Sequence, residues 1–230
     1  MAGSWGAQHL AEVEDQHGTG SGSAAIRQLV ETGIKAANDA QQAARIASKG
    51  TDQKEYPFVT DAGKCPRQVW FSLKNVEQTE PLTTDSYVNF GVGHAVEDWL
   101  AATLEARGAE IVREYSIKHL HKGVIVSGRV DFIVTLPEMN SLIELKTTSS
   151  RAMGFMLRNK EAGKADHRKQ LNLYLHFSQL SLIEGRMYDT AYLVYVAKDA
   201  TRREPTIHAF EVKYDRDAAM ADLDNLAEIA

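Results

Sequence analysis

The stretch Val130–Ser150 reads VDFIVTLPEMNSLIELKTTSS. Two apolar runs flank a turn, LPEMNS. Each run carries charge where a core strand should have none: Asp131 in the first, Glu144 and Lys146 in the second. Ionisable groups on buried strands cost stability unless they bind one another or something else. Side chains alternate along a strand, so Glu144 and Lys146 share one face while Ile143 and Leu145 point into the core. A turn this short makes the two strands neighbours, and the register can set Asp131 beside Glu144.

Two adjacent carboxylates resist joint ionisation unless a cation lies between them. Hard oxygen ligands favour Mg²⁺ or Mn²⁺ over zinc. Such an ion turns bound water into a nucleophile and stabilises charge developing on a phosphate, with the Lys146 ammonium at hand for the water or the phosphate. This is the equipment for phosphodiester hydrolysis. A purely structural Asp–Lys or Glu–Lys ion pair would use the same residue types, and Glu-x-Lys alone says little. The selectivity lies in an Asp thirteen positions before the Glu, on a second apolar strand across a turn.

Working outward, strands are expected over Glu110–Ile117, Val124–Thr135, Ser141–Thr147, Tyr188–Ala197 and Thr206–Val212. Helices are expected over Ala24–Ser48, Cys65–Leu73, Asn89–Arg107 (ended by Gly108), the basic region to about Lys160, Asp166–Ile183 and Asp215–Ile229. Val69, Trp70 and Leu73 give the second helix an apolar stripe. Val92, Val96, Trp99, Leu100, Thr103 and Leu104 give the third a broad one. The order of elements predicts an α/β fold with a central mixed sheet flanked by helices. Residues 1–50 read as a mobile tail, ending in HGTGSGS, plus a peripheral Ala-rich helix; residues 51–230 read as the functional domain.

The 230 residues, 43% hydrophobic and 25% charged, suit a globular chain. No apolar run nears the ~20 residues that span a bilayer, and no basic-then-apolar leader is seen. Cys65 is the single cysteine, which excludes an intramolecular disulfide. A reducing, cytoplasmic setting is expected, in a bacterial or phage-infected cell. The net charge of −5 gives no global attraction to nucleic acid. Charge is uneven, however: Arg151, Arg158, Lys160, Lys164, Arg168 and Lys169 cluster just after the second charged strand, with His167 among them. They are either a solvated helix face or a phosphate track.

The arrangement resembles the PD-(D/E)xK nuclease superfamily, in which a GxxD strand precedes a (D/E)xK strand. Gly128, Asp131, Glu144 and Lys146 fill those places. GHAVEDWL supplies Gly93 and Glu97 in the Gly-x-x-x-(His/Glu) spacing that RecB-like and phage-type exonucleases carry on the preceding helix. His94 then stands behind the ligand or at the surface. KQLNLYLHF supplies Gln170 and Tyr174 in the Gln-x-x-x-Tyr pattern of the RecB-like branch, one helical turn apart and on one face. Together these motifs cover about 80 residues. One departure stands out. GKCPRQVWFSLK is similar to the Cys-x-Arg segment of the CRISPR-associated and RecB-like exonucleases that hold an iron–sulfur cluster, but the three later cysteines are absent. No cluster is expected, since a cubane normally takes four thiolates.

The resemblance implies a restriction-endonuclease-like core and a metal-dependent DNA exonuclease acting in recombination, repair or phage DNA metabolism. Glu97, Asp131, Glu144 and the Leu145 carbonyl are the implied ligands of Mg²⁺ or Mn²⁺. Lys146 orients or activates the water, Gln170 positions substrate or metal, and Tyr174 packs or touches the strand. DNA is the implied partner, with a helicase or recombinase as a further one; Arg67 is a candidate phosphate contact beside the basic cluster. A structure-selective or sequence-specific endonuclease with the same core stays open, as does a non-catalytic DNA-binding protein that keeps the fold.

Overall fold

Between Glu110 and Thr148, alternating and apolar segments separated by a Gly-containing turn and LPEMNS fold into three consecutive antiparallel strands. The computed structural model describes residues 21–49, 54–76, 80, 82–137, 139–199 and 206–230. The expected tail over residues 1–20 lies outside these. The chain divides into two units, Met1–Asp52 with Glu80–Phe90, and Gln53–Thr79 with Gly91–Ala230. In the first, Ser21–Lys49 forms one continuous helix, α1. No helix among the described residues is long and apolar enough to cross a membrane.

The second unit holds a short 3-10 turn, Val59–Asp61, and helix α2, Pro66–Leu73. Helix α3, Thr84–Glu105, begins five residues before the expected start and ends in this unit. Gly108, at φ +84°, lets the Ala109 amide turn back to the Leu104 carbonyl and close that helix. Next come β1 (Glu110–His121), β2 (Val124–Leu136), β3 (Met139–Thr148), α4 (Ser150–Arg158), α5 (Ala165–Ser181), β4 (Thr190–Ala197), β5 (Ile207–Lys213) and α6 (Arg216–Ile229). The five strands lie in chain order in one sheet. All neighbours are antiparallel except β3 and β4, which run parallel because α4 and α5 carry the chain back between them. The fold is thus α/β, a central mixed five-stranded sheet flanked by helices.

Each face of the sheet has its own apolar cluster. On one, Leu100 and Ala101 of α3 meet Phe132, Val134, Ile143, Leu145, Val194 and Val196. On the other, α5, α6 and the methionines of α4 cover Val126, Val130, Ile133, Leu142 and Leu193. The stripes read from sequence shift accordingly. Trp99 and Thr103 are exposed, and α3 packs instead through Val96, Leu100, Ala101 and Leu104. In α2 only Val69 is buried, while Trp70 is 44% exposed. Cys65 is exposed at the start of α2.

Gly128 marks the closest approach between sheet and helix. A methyl group there would lie 2.5 Å from Tyr174 Cε1 and 2.7 Å from Val59 Cγ2. Both neighbours are held by full burial. Gly128→Ala is therefore expected to destabilise the protein by about 1–3 kcal/mol, as overpacking does. Urea unfolding of the two proteins would show it, and an unchanged midpoint would contradict this contact.

Candidate active site

The strands β2 and β3 pair from Leu136↔Met139 up to Phe132↔Ile143 and then part. Asp131 and Glu144 stand at the fork, opposite each other one step beyond the last pair. Parting frees the Leu145 amide from the ladder, and it donates to Asp131 Oδ2 at 2.9 Å. β1 is disturbed at the same level. Arg113 pairs with Phe132 and Tyr115 with Val130, but Glu114 between them has φ +54°. That conformation is uncommon for a non-glycine residue, and such strain collects at functional sites. Face alternation along β2 slips by one residue there: Val130 packs on the α5 side, yet Phe132 packs on the α3 side.

Glu144 is 1% exposed. Its Oε1 accepts from Lys146 Nζ at 2.6 Å and from Gln170 Nε2 at 2.6 Å. Its Oε2 is buried without any hydrogen-bond partner. Burial, and then the neighbouring Asp131 carboxylate, push the Glu144 pKa up to about 8 despite Lys146 and Gln170. Burial also raises Asp131, against the pull of Lys146 and the Leu145 amide, and Glu97 adds to the rise. Burial works against the Lys146 ammonium, but Glu144 and Asp131 outweigh it and hold the lysine above its ordinary value. Both carboxyls are thus pushed towards their protonated forms while Lys146 stays charged, which moves the buried group towards neutrality.

Those donors suit a hard divalent cation. Two carboxylates meet at the fork, and one of their oxygens is buried with nothing to bind. The expected third ligand is not gathered in. Among the described residues no three His, Cys, Asp or Glu side chains converge into a metal cage. The half-buried Glu97 carboxylate instead lies 3.4 Å from Nδ1 of exposed His94 on α3. Glu97 is nonetheless near enough to act on the Asp131 charge.

Helix α5 delivers a polar stripe to the sheet. Gln170 contacts Glu144 on β3. Tyr174, one turn on, is 1% exposed, and its hydroxyl donates to the Arg129 carbonyl of β2 at 2.8 Å while accepting the Arg129 amide at 3.1 Å. Tyr174 therefore cannot touch a DNA strand; it fixes β2 to α5, and it is why position 128 is glycine. His167, one turn before Gln170, puts Nδ1 2.7 Å from the hydroxyl of Tyr195 on β4. Tyr195 pairs in register with Lys146. Neither His167 nor Tyr195 was singled out by sequence. The signal for His167 was its i, i+3 spacing to Gln170; for Tyr195 there was none, because the register of β4 on β3 is not written locally.

The basic residues divide. Arg151, Arg158, Lys160 and Lys164 are exposed and Arg168 half-buried, on the segment that follows β3. Lys169, its side chain 43% exposed, pairs with buried Asp222 of α6. The exposed Arg67 guanidinium stacks over Phe71 at 5.2 Å.

No protein-family model matches this chain. No curated protein matches it either. Among solved structures it is similar to the protein SSO0001, at 22% identity and TM-score 0.52, over 77% of this chain and 76% of that one. It is also similar to the alkaline exonuclease LHK-Exo from Laribacter hongkongensis, at 15% identity and TM-score 0.49, over 76% and 85% of the two chains. LHK-Exo in complex with dAMP gives 16% identity, TM-score 0.49 and 76% and 87% coverage. The likeness to SSO0001 is one of fold.

Raising a carboxyl pKa means the folded state holds that proton more tightly than the unfolded chain. The associated stability is complete below the ordinary value of 4.5 and is lost as pH rises through about 8. In EDTA, the stability of Glu144→Gln relative to wild type is therefore expected to climb across that window, by at most about 1.4 kcal/mol per pH unit. Chemical denaturation at pH 5, 6, 7 and 8 measures this; parallel curves for the two proteins would show that Glu144 titrates normally.

Proposed function

We propose that this chain is a metal-dependent deoxyribonuclease, an exonuclease of the RecB-like or phage recombination type. The observation that carries the reading is the fork itself: Asp131, Glu144 and Lys146 converge, and a buried Glu144 oxygen is left without a partner. A structural ion pair would satisfy both oxygens, whereas a cation site leaves one for the ion.

In this reading Asp131 and Glu144 hold Mg²⁺ or Mn²⁺, with the Leu145 carbonyl beside them and Glu97 turned from His94 to complete the set. When bound, the ion acidifies water and offsets charge on the phosphate. The chain's own residues do the rest. Gln170 holds Glu144 in place through Oε1. Lys146, 2.6 Å from Glu144 Oε1, is placed to orient or activate the attacking water or to neutralise the phosphate. Arg151, Arg158, Lys160, Lys164 and Arg168 offer cations along the exposed segment after β3, where a phosphate backbone would run. Arg67 is a further contact on α2. A helicase or recombinase is the partner such an enzyme would serve. No iron–sulfur cluster belongs to this proposal, because the sequence holds one cysteine.

Lys146→Ala and Glu144→Gln are each expected to lower cleavage of end-labelled linear DNA at least about 100-fold with Mg²⁺ or Mn²⁺, without loss of folded protein. A covalently closed circle should resist wild type. Cutting of the circle would make the enzyme an endonuclease, and near wild-type turnover by Lys146→Ala would remove this site from the reaction.

A further inference from the structure

The polar stripe of α5 has three members, and the chemistry above uses one directly and one as an anchor. The remaining member, His167, has a nitrogen to spare. Its Nδ1 lies 2.7 Å from Tyr195 Oη, and Oη already accepts the Lys164 amide at 3.1 Å. With Tyr195 donating to Nδ1, the ring proton sits on Nε2. Nε2 is 3.8 Å from Asp166 Oδ2, too far for a hydrogen bond. The ring is only partly buried. Burial, and then the nearby Lys146 charge, lower its pKa to about 4, so it is uncharged at neutral pH.

We propose that His167, through its Nε2–H, binds a non-bridging phosphate oxygen of the DNA strand brought to Asp131, Glu144 and Lys146. It does so as a neutral donor whose tautomer is set by Tyr195. The inference rests on the nuclease reading above and adds a substrate-contacting residue to it. Its logic is one of charge. The fork already holds an ammonium beside two acids, and a second cation next to Lys146 would be repelled. A neutral N–H adds grip on an anionic oxygen without that repulsion.

A merely structural role, latching α5 to β4 through Nδ1, makes a different prediction, and side-chain length separates the two. Asparagine can reproduce the Nδ1 contact with Tyr195 but not the Nε2 donor; glutamine can do the reverse. The experiment is anisotropy titration of a fluorescent DNA oligonucleotide with the full chain in Ca²⁺, the DNA being checked intact afterwards. His167→Ala and His167→Asn are expected to weaken binding at least about 10-fold, the scale of one hydrogen bond to a charged group, and His167→Gln to stay within about twofold of wild type. Because the donor is uncharged, it displaces no counterion. The slope of log affinity against log salt should be the same in all four proteins, whereas losing a cation would lower it by about one. Asparagine binding like wild type while glutamine fails, or a slope lowered by about one in His167→Ala, would overturn the proposal. If wild type cleaves linear DNA and every His167 variant binds as tightly, only this inference falls. If wild type neither binds nor cleaves, the nuclease reading falls with it.

Discussion

Glu144 is a carboxylate removed from water, with one oxygen held twice and the other not held at all. Much of the local structure follows from keeping that group in place. An isolated buried carboxylate would not survive as an anion, so Lys146 stands two residues on, on the same face of β3. Asp131 then adds a second acid and leaves the three groups with a net charge of −1, which a proton cancels and a divalent cation more than offsets. The fork between β2 and β3 is what brings Asp131 within reach. If the two strands stayed paired, the Leu145 amide would belong to the ladder and would not bind Asp131 Oδ2.

Helix α5 is the second constraint, because it is buried nearly all round over Gln170–Ser178. One face addresses the sheet with His167, Gln170 and Tyr174, spaced at i, i+3 and i+7. These reach β4, β3 and β2 in turn, three adjacent strands. The opposite face is tied to α6 and its approach by Lys169 to Asp222, Asn172 to the Asp215 backbone and His176 to Tyr214. A helix clamped on both sides holds its polar groups to narrow positions. Such preorganisation is what a reaction run by positioning and charge requires.

The local parts of this design were legible in the sequence. Apolar runs and turns marked all five strands to within a few residues, and the face shared by Glu144 and Lys146 follows from strand alternation alone. Gln170 and Tyr174 were placed on one face by helical spacing. What was not legible depends on partners distant in sequence. Trp70 and Trp99 count as core by hydrophobicity, yet each helix had a smaller residue better placed for its seam, Val69 in α2 and Leu100 in α3. Tyr174 looked available to a ligand until Gly128, forty-six positions earlier, left the gap its ring fills. Lys169 stood in a basic run, and nothing nearby in sequence marked Asp222 of α6 as its partner. Glu97 matched its spacing, but spacing does not fix a rotamer, and its carboxylate rests by His94.

The slip at Glu114 and Asp131 connects these levels. A regular ladder would keep β2 alternating cleanly between its two apolar clusters and would leave its residue 131 as an ordinary strand position. Instead Glu114 takes a left-handed conformation, the face pattern of β2 shifts, and β2 and β3 part immediately beyond Phe132. Each of these features costs stability by itself, and so does the unpartnered oxygen of Glu144. All lie within a few residues of one another, while the sheet on either side is regular and its clusters well buried. Within the strands of the sheet these irregularities gather at one fork, the pattern expected where a chain gives up local stability to hold a reactive group.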